Sequence, residues 1–454
     1  MGVGSVTALR KVAVAILSWN GRHHLETCLE ALAAQQDPGV DWEILVLDNG
    51  STDGTVGWMR ERWGRDRRVR LIESPVNHGF CGGNNRLVAA TGVDTDAVAL
   101  LNNDTRPEPG WLGSLVAALG SAPPDVAAVS GKIVDWAGER LDFGRGLMTF
   151  DGHAFQLDYR RPLKRARVPA AGAELPFACG GNMLIRRASF LTAGGFDEDY
   201  FAYLEDVDLG WRLWSGGERV LFAPEVAVHH RSGATSDLLG LYNRGFLFER
   251  NAFLTAYKNY EPGLWERILP AVMLTLTSRT QALLESNPGA EILRVDPYAG
   301  HIANTAGKAA APPPAATFEI PPATTWEGFK VRWKGYGPRE FLRRGLGKLG
   351  GGPPPAVTAP ISGAEPLRLT DERTVAQLRA THWLLGHLDG AATRRAEIQK
   401  RRRRPDLEIF ERFPVYLVPT YPGDHALFAS AGFRDWLPKE LPLVEARLEE
   451  IMEM

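Results

Sequence analysis

The chain has 454 residues, 44% of them hydrophobic and 23% charged, with 52 Lys+Arg set against 54 Asp+Glu. That length exceeds one ordinary domain, and the near-neutral balance excludes a charge-driven nucleic-acid binder. Three cysteines without paired spacing, Cys28, Cys81 and Cys179, exclude a disulfide framework or a cysteine zinc site and fit a reducing compartment.

Residues 11–120 alternate regularly. KVAVAIL (11–17), EILVLD (43–48), VRLIES (69–74) and AVALL (97–101) read as strands. HHLETCLEALAAQQ (23–36), TVGWMRERW (55–63), NNRLVAAT (84–91) and WLGSLVAAL (111–119) carry apolar residues at helical spacing. Strands separated by helices predict an α/β fold with a mostly parallel sheet and right-handed crossovers. The segments after the strands, SWNG, DNGSTDGT, SPVNHGFCGGNN and NNDT, then collect on one sheet edge. A polar, glycine-permissive rim at that position is where a nucleotide pocket is expected.

The alternation becomes irregular after 125. DVAAVSGKIV (125–134) reads as a strand pair or a bent strand, and LPFACGGNMLIRR (175–187) as a Gly-Gly break followed by a strand. EDVDLGWRLWSGG (205–217) reads as a helix, and RVLFAPEVAVHH (219–230) as short strands around Pro224. Residues 238–260 and 262–285 read as two helices. The expected organisation is a first domain over 1–237, with a nucleotide-binding half at 11–120 and a second half at 121–237. A helical extension at 238–290, a Pro/Gly-rich linker region at 291–365 and a helical or mixed region at 366–454 follow.

No run reaches the ~18 apolar residues of a membrane span. ILPAVMLTLT (268–277) comes nearest, and no secretory pattern follows VAVAIL (12–17). The expectation is a cytoplasmic protein. Its basic segments KRRRR (400–404) and WKGYGPREFLRRGLGK (333–348) predict peripheral contact with an anionic membrane surface, although a solvated helix face is the commoner reading of such a run.

Four stretches carry candidate chemistry. In DNGSTDGT (48–55), Asp48 ends a strand and is suited to accept hydrogen bonds from a base or ribose; a β–α turn accounts for the same residues. NHGFCGGNN (77–85) allows close backbone approach to a nucleotide but is not a phosphate loop. Glu205 and Asp206 stand together among aromatics, which suits a general base, whereas Asp208 reads as solvated or capping. His229 and His230 alternate on a strand, so one of them faces a site and is a metal-ligand candidate.

Taken together, ILSWNG (16–21), VLDNGSTDGT (46–55), NHGFCGGNN, LLNNDT (100–105), CGGNMLIRR (179–187), GGFDEDYFAYLEDVDLGWR (194–212) and PEVAVHHRSGATS (224–236) resemble the family-2 glycosyltransferases. The resemblance is to bacterial rhamnosyltransferase-like members. RNAFLTAYKNY (250–260) resembles the helix that follows their catalytic domain. The resemblance implies the GT-A nucleotide-diphospho-sugar transferase fold with a mainly helical C-terminal extension. It also implies inverting transfer from a nucleotide-diphosphate sugar (dTDP-rhamnose or a UDP-sugar) to a cell-surface glycan or lipid-linked acceptor, assisted by Mn²⁺ or Mg²⁺.

Residue by residue, Ser18, Trp19, Asn20, Asp48, Asn49, Ser51, Asn77, Gly79, Phe80, Asn85, Asn102, Asn103 and Asp104 are implied on the nucleotide side. Asp104 and His230, six residues on from Pro224, are implied as metal ligands, and Asp206 as the base beside Glu205. Gly180, Gly181, Asn182 and Trp211 are implied at the acceptor and sugar pocket. One departure stands out: Asn102 occupies the place where the family's first Asp often stands, so one carboxylate ligand remains. A sugar nucleotidyltransferase and a non-catalytic glycan binder are the competing classes. The first expects a Gly-rich basic loop, which SWNGRHHLE is not; the second leaves Asp104, Asp206 and His230 together unexplained.

Overall fold

The computed structural model describes residues 8–231, 236–284, 372–420 and 423–453. The first half builds the alternation read from sequence: β1 (Lys11–Ser18), α1 (Arg22–Ala33), β2 (Asp41–Asn49), α2 (Thr55–Arg62), β3 (Val69–Ser74), α3 (Gly79–Ala90) and β4 (Ala97–Asn102). There follow β5 (Thr105–Pro107), α4 (Trp111–Gly120), β6 (Val126–Asp135), β7 (Leu141–Phe143), β8 (Gly146–Thr149), β9 (Ala154–Gln156) and β10 (Asn182–Arg186). Then come α5 (Arg187–Ala193), α6 (Glu205–Ser215), β11 (Arg219–His230), α7 (Ser236–Asn259) and α8 (Pro262–Leu284).

Nine strands form one sheet in the order β3-β2-β1-β4-β10-β6-β11-β5, with β7 beside β6. The β3-β2-β1-β4 portion is parallel, and β10 runs antiparallel between β4 and β6. This is the GT-A arrangement, a mainly parallel sheet flanked by helices. Its centre is apolar on both faces: Val12, Ala13, Val14, Ala15 and Ile16 are all fully buried. A strand covered on both sides by helices must be apolar throughout, which is why KVAVAIL does not alternate.

Residues 126–135 form one strand, the second of the two readings of that stretch. Two other expectations differ in detail. Residues 219–230 are also one strand, with a register shift between Ala223 and Ala227 that absorbs Pro224. The helix expected from 84 begins at Gly79, so the glycines lie inside it. Phe201 O accepts from the Phe80 and Cys81 N–H groups at 2.6 and 3.1 Å, capping that first turn from outside. A Cβ on Gly83 would lie 2.4 Å from Leu17, so glycine is what lets the helix lie close on β1.

The described C-terminal residues pack into the first half of the chain. Strands β12 (Val415–Leu417) and β13 (Leu443–Glu445) extend the β8–β9 hairpin into a second, four-stranded sheet. The long helix Glu372–Arg401 packs along α7 and α8. In the basic run that follows it, Arg402 and Arg404 turn to internal contacts, while Lys400, Arg401 and Arg403 stay exposed. Arg404 donates to Trp214 O and Glu218 O at 2.8 and 3.2 Å, satisfying carbonyls at the α6 C-terminus. Arg402 pairs with Asp406 at 2.7 Å, and the side chains of Arg402 and Arg404 are only 12% and 14% exposed. The other basic segment, 333–348, and most of the linker expected at 291–365 lie outside the described residues. Among the described residues no helix is long and apolar enough to cross a membrane.

A buried ion network ties α7 to the segment before α6. Lys258 is 1% exposed and its ammonium meets Asp197 and, at 3.1 Å, Asp208. Asp208 also accepts from Arg212 and Asn259 at 2.8 Å each. It is therefore a fully buried structural anion rather than a solvated one. Burial alone would raise its pKa, but Arg212 and Lys258 outweigh that and hold it at about 2. Lys258→Met leaves Asp197 and Asp208 with less cation than their burial requires. The expected outcome in chemical denaturation is a loss of about 3–5 kcal/mol, the cost of breaking a buried pair from one side. A loss below about 1 kcal/mol, the value of an exposed pair, contradicts this account.

Candidate active site

The polar segments that follow β1–β4 do converge. Asn20, held at φ 50°, donates from its N–H to Ser51 Oγ at 2.8 Å, and its side-chain oxygen accepts from Thr52 N–H at 2.8 Å. Asn103 Nδ2 reaches Ser18 Oγ at 3.2 Å. Asn49 bridges to the next loop, donating to Asn77 Oδ1 at 2.8 Å and accepting from His78 N–H at 2.9 Å. Trp19 is half-buried beside this clasp. Asp48 is 2% exposed; one carboxylate oxygen accepts from Ser51 N–H at 3.1 Å and the other has no partner. A buried acceptor left open at a strand end fits a ligand that brings its own donor.

On the other side of β4, two consecutive glycines join the strand end to α6. Asn102 N–H donates to Gly181 O at 3.2 Å, and Gly180 N–H donates to Asp206 Oδ2 at 3.0 Å. A Cβ on Gly181 would stand 2.8 Å from the Asn102 amide, and one on Gly180 would stand 3.2 Å from the Phe80 ring. The LLNNDT strand end, the Gly-Gly break and the Glu-Asp pair are thus one unit.

Glu205 and Asp206 differ in surroundings. Glu205 is 7% exposed, and its Oε2 has no partner. Burial, then the charge of Asp206, pushes its pKa well above the carboxylate range. Asp206 keeps part of its surface open and accepts from the Gly180 and Val207 N–H groups. Burial raises its pKa to about 6 against those stabilising bonds. The two neighbours are thus pushed apart, Glu205 well above the carboxylate range and Asp206 to about 6, which is the separation acid–base chemistry uses. The loop leading into them is strained: Phe201, Tyr203 and Leu204 all have φ between 60° and 72°. Each costs on the order of 1 kcal/mol or more, so contacts elsewhere must hold the loop.

His230 and His229 diverge as strand alternation requires. The β11–β5 register sets His230 opposite Thr105, next to Asp104. His230 Nε2 lies 3.2 Å from Asp104 Oδ1, and Nδ1 lies 2.7 Å from Asp142 Oδ2. Burial would lower the imidazole pKa, but hydrogen bonds to the two carboxylates raise it to about 10. Asp104 is 6% exposed; burial would raise it, and the His230 hydrogen bond and charge hold it below its ordinary range. His229 faces away, toward Glu108 and the Trp136 carbonyl. The Asp104 carboxylate suits a hard divalent ion such as Mn²⁺ or Mg²⁺, with His230 as a nitrogen neighbour, and the carboxylate on the far nitrogen is the usual orienting partner of a ligating histidine. Among the described residues no three His, Cys, Asp or Glu side chains form a ready-made metal cluster. A cation there would need oxygens from its substrate as well.

Several implied residues sit elsewhere in function. Asn182 is fully buried, accepting from Trp111 Nε1 at 2.8 Å and donating to Lys132 O, so it braces the sheet rather than lining a pocket. Trp211 packs between Tyr260 and Phe410 in the core, its ring 2% exposed, and is not a sugar platform. Asn85 spends its amide on the Phe196 backbone, accepting at 2.9 Å and donating at 2.8 Å. Asp142 was not anticipated; it lies on a three-residue strand that shows no periodic pattern.

The family model for glycosyl transferase family 2 matches residues 13–192. The N-acetylglucosaminyl-diphospho-decaprenol L-rhamnosyltransferase of Mycobacterium tuberculosis is 31% identical over 245 residues, covering 49% of this chain and 76% of that protein. The O-antigen biosynthesis protein RfbC of Myxococcus xanthus is 31% identical over 222 residues, covering 46% of this chain and 16% of that protein. Among solved structures, GalNAc-T7 with UDP, GalNAc and Mn²⁺ superposes at a TM-score of 0.46 with 14% identity, over 59% of this chain and 51% of that one.

The raised pKa of Asp206 has a thermodynamic consequence. An acid whose folded pKa lies above its ordinary value of 3.8 stabilises the fold fully below that value, and the contribution is lost as pH rises through about 6. Asp206→Asn carries no such loss. At pH 8 the variant is expected to be the more stable by on the order of 1–3 kcal/mol, the lower end reflecting partial solvent access. The gap closes on acidification, as thermal unfolding across pH would show. A variant no more stable at pH 8 contradicts the assignment.

Proposed function

The chain belongs to glycosyl transferase family 2, and from that premise we propose that it is an inverting transferase whose base is Asp206. The donor is a nucleotide-diphosphate sugar and the acceptor a hydroxyl of a lipid-linked or cell-surface glycan. The observation that carries this reading is the Gly180–Gly181 joint, which links the end of β4 to a carboxylate poised to ionise at about pH 6.

Asp48 and the clasp around Asn20 and Ser51 receive the base and ribose, with the open carboxylate oxygen of Asp48 as the acceptor. Gly79 and Phe80 stand at the capped start of α3 beside it. Asp104 and His230 would hold a divalent ion, which when bound neutralises the charge gathering on the departing diphosphate. Asp206 takes the proton from the acceptor hydroxyl as its oxygen bonds to the anomeric carbon. The bond from that carbon to the diphosphate oxygen breaks on the opposite face, so configuration inverts. Glu205, protonated, leaves the pair with a single negative charge and so raises no second repulsion against the diphosphate.

The name of the mycobacterial relative supplies a sugar and an acceptor to try, L-rhamnose and N-acetylglucosaminyl-diphospho-decaprenol; the sugar is offered as dTDP-rhamnose, alongside UDP-sugars. With whichever pair turns over, Asp206→Asn is expected to lose about 10²–10⁴-fold in kcat, the usual worth of a general base. Its nucleotide affinity by calorimetry stays within about 3-fold, because only the proton acceptor is gone. The kcat/KM of the parent falls below about pH 6 as Asp206 takes up its proton. Full transfer by Asp206→Asn would refute the base; transfer indifferent to Mn²⁺ and Mg²⁺, with nucleotide binding unchanged in Asp104→Asn, would refute the metal site.

A further inference from the structure

We propose that Asn251, seated by Arg250, is the positioning residue that holds the Tyr200–Leu204 loop in its left-handed path and so sets the place of Asp206; this rests on Asp206 being the base. Both residues lie on α7, beyond the segment matched by the family model. Asn251 is fully buried. Its Nδ2 lies 3.0, 2.8 and 2.7 Å from the carbonyl oxygens of Tyr200, Ala202 and Tyr203. Two amide hydrogens are therefore shared among three acceptors. Arg250 donates to Tyr200 O at 2.8 Å and, through Nε, to Asn251 Oδ1 at 3.0 Å. That second bond fixes the amide so that its donor end faces the loop.

The loop's remaining carbonyls are also used. Phe201 O accepts from the Phe80 and Cys81 N–H groups at the start of α3, and Leu204 O accepts from Asp208 N–H at 3.0 Å within α6. Every carbonyl from 200 to 204 thus has a donor; Asn251 serves three of the five, sharing Tyr200 O with Arg250 and the Ala202 N–H. A chain in neither helix nor strand has no ladder to satisfy it, so this side chain does what a ladder would do. The same helix continues the contact at four-residue spacing. Thr255 Oγ1 meets Tyr200 Oη at 2.8 Å, and Asn259 donates to Asp208 Oδ1 at 2.8 Å. Asn251, Thr255 and Asn259 make one buried polar stripe facing the loop and α6. Because Phe201 caps α3, a relaxed loop would shift the nucleotide side and Asp206 together.

Asn251→Asp tests this in the full-length chain. Aspartate keeps the size and the acceptor for Arg250 but offers the loop no amide donor. Hydrogen exchange in the peptide 198–208 is expected to rise about 10-fold or more, as for one lost buried hydrogen bond, while 111–120 exchanges as in the parent. With dTDP-rhamnose or the UDP-sugar that turns over, kcat falls on the order of 10²-fold. The acid limb of its pH profile moves below about 6, because water reaches Asp206. Phe253→Leu, on the same helix but packed against Tyr257 and Trp265, lowers the melting temperature without moving that limb. If Asn251→Asp does not accumulate, Arg250→Lys loses the Nε donor, keeps the charge and carries the same readouts in milder form. An unchanged kcat and acid limb, or exchange that rises evenly across the chain as for Phe253→Leu, overturns the proposal. Full transfer by Asp206→Asn would instead overturn the base reading, and the exchange result would then judge the clamp alone.

Discussion

The site depends on two adjacent peptide units that carry no side chains. Gly181 receives the Asn102 N–H at the end of the fourth strand, and Gly180 gives its own N–H to Asp206. The strand end that carries Asn102 and the helix start that carries Asp206 are thereby held to each other. A side chain at either glycine would press on the Asn102 amide or the Phe80 ring. The same bond opposes the burial that raises Asp206. The balance between them leaves the carboxyl ionising close to neutrality, where a base is most useful.

Around this joint the molecule uses two kinds of support. The first half of the chain holds its loops by short side-chain to backbone bonds: Asn20 with Ser51 and Thr52, Asn49 with Asn77 and His78. The later half supplies buried polar and charged groups from helices. Lys258 neutralises Asp197 and Asp208, and Arg394 of the long C-terminal helix reaches Asp197 and Asp199 at 3.1 and 2.6 Å. Arg404 closes the end of the helix that begins at Glu205. Lys258, Arg394 and Arg404, all beyond residue 236, are therefore part of the scaffold that carries the Glu-Asp pair.

Much of the fold could be read from the sequence because its signals are local. Apolar runs such as KVAVAIL and AVALL, bounded by helical spacing, locate the parallel strands. The polar loop ends of those strands locate the site. His230 rather than His229 beside Asp104 follows from strand parity once the register is known, but no local signal sets the register. Asn182 and Trp211 were misplaced because a polar or aromatic residue near a glycine-rich motif reads the same in a core as in a pocket. Asp142 and Asn251 were invisible for the opposite reason: their partners are 88 and about 50 residues away. The basic run 400–404 looks solvated in sequence, yet Arg404 and Arg402 meet Trp214 and Asn259, 190 and 143 residues away.

The central claim is that Asp206 is the carboxyl that changes charge near neutrality. Carbon-13 labelling of aspartate side chains, with Asp206→Asn used to assign the missing signal, follows that carboxyl directly without substrate or assay. The account predicts a titration with its midpoint at about 6. A midpoint at the ordinary aspartate value of 3.8 would contradict it, because nothing would then set Asp206 apart from a solvated aspartate.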